Sequence, residues 1–149
     1  MGKTISEYYP NILVALQFGI IGLMVVFARH FFASPYPIIV FVVGATLGVW
    51  ALRHNQLGNF NVQPKLKENA QLITTGIYGY IRHPMYLSVL LMMLSVVIAN
   101  PTIVQGVLFL MLIMVLWLKA LREESLWVAH HPEYQNYQKK TKFFIPFIL

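Results

Sequence analysis

Apolar residues run almost unbroken through four stretches, about Ile12 to Phe32, Pro37 to Leu52, Met85 to Ala99 and Ile103 to Leu118. Continuous runs of this kind predict helices crossing roughly 30 Å of hydrocarbon at about 20 residues each. The second and third are short and must borrow flanking residues or tilt little. The first is too long for a cleaved signal peptide and has no small-x-small cleavage pattern, so it is expected to remain as an anchor. Ser34-Pro35-Tyr36-Pro37 and Asn100-Pro101-Thr102 read as tight turns that group the helices into two hairpins. Gly44 and Gly48, four apart on one helix face, permit close approach of a neighbour.

Polar residues collect where the apolar runs stop. Gly76-Ile77-Tyr78-Gly79-Tyr80-Ile81-Arg82-His83-Pro84-Met85-Tyr86 leads into the third run, and Lys119, Arg122, Glu123 and Glu124 follow the fourth. Ionisable groups at the mouths of spanning helices are costly unless they are used, so two such mouths predict one shared polar site. Nothing breaks the helix between Leu118 and Ala129. His131-Pro132 should interrupt it, with a second short helix over Glu133 to Lys142. In the 53–82 connection, Leu57 to Asn61 reads as a turn, Lys65 to Asn69 as polar, and Leu72 to Gly76 as a short extended piece ending in a turn. The apolar end, Phe143 to Leu149, is too short to span and should lie at the interface or on the bundle.

Composition narrows the class further. With 58% hydrophobic residues, 11% charged residues and a mean hydropathy of +0.63 over 149 residues, the chain is a single membrane domain over 1–149. It has no cysteine, which rules out disulfides, thiolate nucleophiles and Cys-ligated metals. Adjacent His130 and His131 point apart and make a poor metal pair, so no metal is expected. The net charge of +6 does not imply nucleic acid. Of the 11 Lys and Arg, all but Arg29 fall on the side shared by both termini and the 53–82 connection. By the positive-inside rule that side is cytoplasmic, with membrane lipids as the natural partner.

Leu72-Ile73-Thr74-Thr75-Gly76-Ile77-Tyr78, Arg82-His83-Pro84-Met85-Tyr86, Glu123-Glu124 with Leu126, Glu133-Tyr134-Gln135-Asn136-Tyr137 and Ile145-Pro146-Phe147 resemble, in order and spacing, the isoprenylcysteine carboxyl methyltransferase family and its phospholipid methyltransferase relatives. The resemblance covers roughly residues 57–149. It implies an all-α integral membrane protein, with four transmembrane helices in two hairpins, a cytoplasmic cofactor site and a C-terminal amphipathic helix. It also implies an S-adenosylmethionine-dependent methyltransferase. Gln63, Gln71, Leu72, Ile73, Tyr78, His83, Pro84, Met85, Tyr86, Glu123 and Glu124 match positions at or beside the cofactor. Lys119 and Lys140 match basic positions linked to substrate, Lys140 standing where arginine is usual, and Glu123 joins them as a reaction-site residue.

The chemistry suits those residues. S-adenosylmethionine carries a sulfonium, an ammonium, a carboxylate and an adenosine. Glu123 or Glu124 can accept from the ammonium or ribose. His83 and nearby backbone N–H groups can take the carboxylate, and Tyr78 or Tyr86 can stack on adenine or face the sulfonium. The expected acceptor is a lipophilic small molecule or prenylated substrate, first of all an isoprenylcysteine-type carboxylate, with a lipid amine or small thiol as alternatives. The rival readings are an NADPH-dependent membrane reductase of the sterol type, which shares the Arg-His-Pro-x-Tyr element, and a nonenzymatic membrane subunit. No Gly-x-Gly-x-x-Gly follows a strand, so a soluble dinucleotide-type fold is excluded.

Overall fold

The computed structural model describes residues 5–55, 63–64 and 71–145, with the backbone alone for residues 5–7. The described residues form helices α1 (Ile5–Val26), α2 (Pro35–His54), α3 (Pro84–Ala99), α4 (Ile103–His130) and α5 (Tyr134–Lys140), and a 3₁₀ turn at Gly76–Gly79. Beyond these there is an isolated parallel bridge between Ile81 and Lys142. The turn and polar stretch expected over 57–61 and 65–69 lie outside the described residues, as does the end of the apolar tail from residue 146.

α1, α2 and α4 are each long and apolar enough to cross a membrane. α3, with 16 residues, rises only about 24 Å. Val26, Phe32, Ile103 and Leu110 stand largely exposed, an arrangement at home against hydrocarbon rather than water.

α1 begins at Ile5 and stops at Val26, short of the expected Phe32. Arg29 and His30 break the apolar run, and His30 adopts a left-handed φ of 56°, which a continuing helix forbids. The Ala28 amide therefore bonds Val25 O instead of Met24 O. The carbonyls released at this helix end are met from the end of α3 and the first turn of α4. Gln105 Nε2 donates to Met24 O at 2.9 Å and Asn100 Nδ2 to Phe27 O at 2.9 Å. The apolar core joins Leu13, Ile20 and Met24 of α1 to Met93 and Val96 of α3 and to Leu112, Val115 and Leu116 of α4.

α2 lies against α3 where Gly44 and Gly48 fall. A Cβ on Gly44 would stand 2.9 Å from Leu91 Cβ and 2.9 Å from the Met92 amide, and one on Gly48 2.5 Å from Ser88 Oγ. The close approach anticipated from their spacing is thus made against Ser88, Leu91 and Met92.

α4 is capped at its start by the Thr102 hydroxyl, which accepts from the Gln105 amide at 3.2 Å. It passes Leu118 without a break and ends at His130. There Pro132 holds His131 extended, at φ −133° and ψ 97°. The polar turns after Leu118 are therefore a rigid extension of a spanning helix, which fixes the site.

Candidate active site

Two helix mouths meet here. Pro84 starts α3 with its φ preset and no amide to satisfy, so His83 becomes the cap residue and Tyr86 lies within the first turn. On α4, Lys119 and Glu123 share a face at i, i+4, with Glu124 beside them.

Glu124 accepts from three side chains. Its Oε1 accepts from Arg82 Nε at 2.5 Å and from His83 Nε2 at 3.0 Å, and its Oε2 accepts from Gln138 Nε2 at 2.7 Å. Because an ionised carboxylate only accepts, His83 must carry its proton on Nε2 in this contact. Glu123 makes a different set of contacts. It accepts from the Tyr86 phenol, and its Oε2 lies 3.8 Å from His83 Nδ1. Its side chain is 22% exposed against 9% for Glu124.

Arg82 ties this pair to the C-terminal segment. Besides Glu124 it donates through one terminal nitrogen to Gln138 O at 3.2 Å and Thr141 O at 2.6 Å. The backbone repeats the connection, with Arg82 N donating to Lys142 O at 2.8 Å, His83 N to Phe143 O at 3.2 Å and Lys142 N to Tyr80 O at 2.9 Å. The expectation that backbone N–H groups beside His83 take a cofactor carboxylate is therefore not met at residues 82 and 83. Both amides are spent on the returning chain.

Aromatic rings close the surroundings. His83 stacks on Tyr86 with centroids 5.6 Å apart and contacts Phe143 and Phe144 at 4.9 and 5.9 Å. Phe143 rests on Trp117 at 4.6 Å, so this part of the apolar tail takes the second of its two expected places, on the bundle. Lys119 is 1% exposed. Its ammonium lies 5.2 Å from the Tyr86 ring centroid and donates to Gln17 Oε1 at 2.5 Å.

The remaining sequence candidates range from buried to exposed. Tyr78 is buried with Ala51, Ile77 and Ile81, and Ile73 and Met85 pack against the same group. Its carbonyl accepts from the Tyr137 phenol at 2.5 Å, and its ring stacks on His54 at 6.5 Å. Burial pushes the phenols of Tyr78, Tyr134 and Tyr137 above the usual tyrosine range, so all three stay protonated. Thr75 is extended, and Gly76 then takes φ +58°, where a Cβ would meet the His54 ring at 2.5 Å. Only glycine fits that corner. Gln63 Nε2 donates to Asn11 Oδ1 of α1 at 2.8 Å. Leu72 is half-buried, and Gln71 is exposed. Lys140 is exposed in the last turn of α5.

The structure thus gathers His83, Tyr86, Lys119, Glu123 and Glu124 into one group and sets Tyr78 and Met85 behind it. Sequence reasoning put Arg82 at the mouth of the shared polar site without giving it a role, and passed over Gln17 and Gln138. Arg82 carried a signal as the lone guanidinium in the lead-in to α3. Gln17 did too, as an amide in the middle of an apolar run. Gln138 carried none.

A family model described as phospholipid methyltransferase matches residues 34–134. A search of curated proteins returned no match. The matched segment begins at the cap of α2 and ends at the first residue of α5, so it contains both arms of the polar cluster. With three apolar helices of spanning length beside that match, the chain is a multi-pass membrane methyltransferase that belongs to the phospholipid methyltransferase family, within the wider group that includes the isoprenylcysteine carboxyl methyltransferases.

Proposed function

We propose that the protein transfers the methyl group of S-adenosylmethionine to a lipophilic acceptor, first of all an isoprenylcysteine-type carboxylate, held at the membrane boundary. The observation that carries this reading is the unequal engagement of the two glutamates. Glu124 already receives donors from Arg82, His83 and Gln138. Glu123 is the more open carboxylate and stands beside Tyr86, suited to the cofactor's ammonium or ribose.

Charge favours an anionic acceptor. Arg82 and Lys119 balance Glu123 and Glu124, so the cluster is close to neutral before anything binds. S-adenosylmethionine brings a net positive charge and a carboxylate acceptor a negative one. When the carboxylate oxygen attacks the methyl carbon, the carbon–sulfur bond breaks with its electron pair going to sulfur. An ester and S-adenosylhomocysteine result, and no proton moves. In a site of low dielectric this mutual neutralisation lowers the electrostatic cost along the path. The chain's own task is then in-line alignment and exclusion of water. An amine acceptor would also have to shed a proton.

Binding tests the cofactor assignment. Purified protein in detergent should gain thermal stability with S-adenosylmethionine or S-adenosylhomocysteine, by about 2.7 kcal/mol at a concentration one hundred times Kd. A shift with NADPH and none with either sulfur compound would replace this reading by the reductase.

Topology follows from the same reading. We place four crossings with both termini in the cytoplasm, α3 making its crossing with help from flanking residues. The distribution of basic residues supports this arrangement. Cysteines at Tyr8 and Lys142 should label from the cytoplasmic side, and cysteines at Ala33 and Pro101 from the opposite side. Labelling of Tyr8 and Lys142 positions from opposite faces would require an odd number of crossings.

A further inference from the structure

We propose that Gln17, midway along α1, is a positioning residue for the acceptor. It holds the Lys119 ammonium against the Tyr86 ring, where the ammonium meets an anionic headgroup. The proposal rests on the carboxylate-methylation reading above and assigns a role to a helix that lies outside the matched residues 34–134.

Gln17 is 6% exposed, and its Oε1 accepts from Lys119 Nζ at 2.5 Å. From Tyr8 to Gln17 the helix rises about 13 Å, so the pair sits well inside the apolar length of α1. Burying an amide and an ammonium there carries a desolvation cost. Apolar side chains would pack α1 on α4 without that cost. The other buried amide on these two helices, Gln105, is accounted for by the helix end it caps through Met24 O. Gln17 is far from either end of α1 and caps nothing. An ionisable side chain kept inside a span marks function by default.

The chemistry of an amide explains why glutamine suits the position. Its oxygen fixes the ammonium in place without adding to the negative charge that Glu123 and Glu124 already supply, whereas a further carboxylate would leave the cluster net negative and repel an anionic acceptor. On its other side the ammonium lies over Tyr86, whose phenol bonds Glu123. Gln17 therefore sets the ammonium relative to the carboxylate assigned to the cofactor, and with it the place where an anionic acceptor is drawn in.

The test measures preference rather than rate. With the full chain in detergent and saturated with S-adenosylhomocysteine, affinity is measured for N-acetyl-S-farnesylcysteine and for its carboxamide. The unaltered protein should bind the carboxylate at least tenfold more tightly. Gln17→Glu, which keeps size and hydrogen-bonding reach, should bring that ratio near one while S-adenosylhomocysteine affinity stays within threefold. Gln17→Leu should lower the ratio, and should change nothing further in a Lys119→Met background, because it acts through Lys119. An undiminished preference in Gln17→Glu, or an added loss in the double variant, would overturn the proposal. Equal binding of carboxylate and carboxamide by the unaltered protein overturns it together with the anionic acceptor, leaving the cofactor assignment in place. Failure to bind S-adenosylhomocysteine at all would remove the methyltransferase chemistry beneath it.

Discussion

Replacing Arg82 by leucine is expected to lower stability by about 3 kcal/mol and to abolish methyl transfer. The guanidinium and Glu124 are 11% and 9% exposed, and removing one member of a buried pair leaves the other charge uncompensated, which costs roughly 3–5 kcal/mol. Two further acceptors, Gln138 O and Thr141 O, lose their donor in the same change. Arg82→Lys should recover only part of the loss, since an ammonium cannot reproduce the planar fork that reaches a carboxylate and two carbonyls together. Thermal unfolding in detergent, read beside S-adenosylhomocysteine affinity, checks this. Wild-type stability in Arg82→Leu would mean that the bridge and the packing of Phe143 and Phe144 hold the segment without the guanidinium.

Neutralising the two glutamates should separate their roles. Glu123→Gln is expected to weaken cofactor binding by on the order of 1–3 kcal/mol, the scale of a charge-assisted hydrogen bond, with little change in melting temperature. Glu124→Gln should instead lower stability first, because its carboxylate neutralises Arg82 and accepts from three side chains. Calorimetric titration with S-adenosylhomocysteine and a melting curve for each variant distinguish them. The reverse pattern, normal binding in Glu123→Gln and weak binding in Glu124→Gln, would exchange the two assignments.

The parts of this architecture that depend on local pattern were legible in the sequence. Apolar runs located the helices. Pro84 and Pro132 marked a start and a stop, and the polar turns after Leu118 stayed helical because nothing in them breaks a helix. The convergence of residues 82–86 with 119–124 followed from placing both on one face of the membrane. Contacts between distant segments were not legible. The bridge from Ile81 to Lys142 has no strand-like alternation to announce it, since it consists of single hydrogen bonds between irregular stretches. The early end of α1 was hidden for a similar reason. Arg29 and His30 interrupt the apolar run for two residues only, Phe31 and Phe32 resume it, and the left-handed turn at His30 with the donors arriving from Asn100 and Gln105 is not written in that pattern. The difference between Glu123 and Glu124, adjacent and chemically identical, emerges only from the partners that reach them.

The return of the chain from α5 across residues 80–83 bears on biosynthesis. All the helices of spanning length, and α3 with them, precede Tyr134 in the order of translation, so the carbonyls of Gln138, Thr141, Lys142 and Phe143 are made after every helix of the bundle, and there is a stage of synthesis without them. At that stage the amides of Arg82 and His83 lack the acceptors they hold in the folded protein, and the guanidinium has Glu124 without its two carbonyls. The polar cluster reaches its final form only when the chain beyond α4 has emerged and folded back.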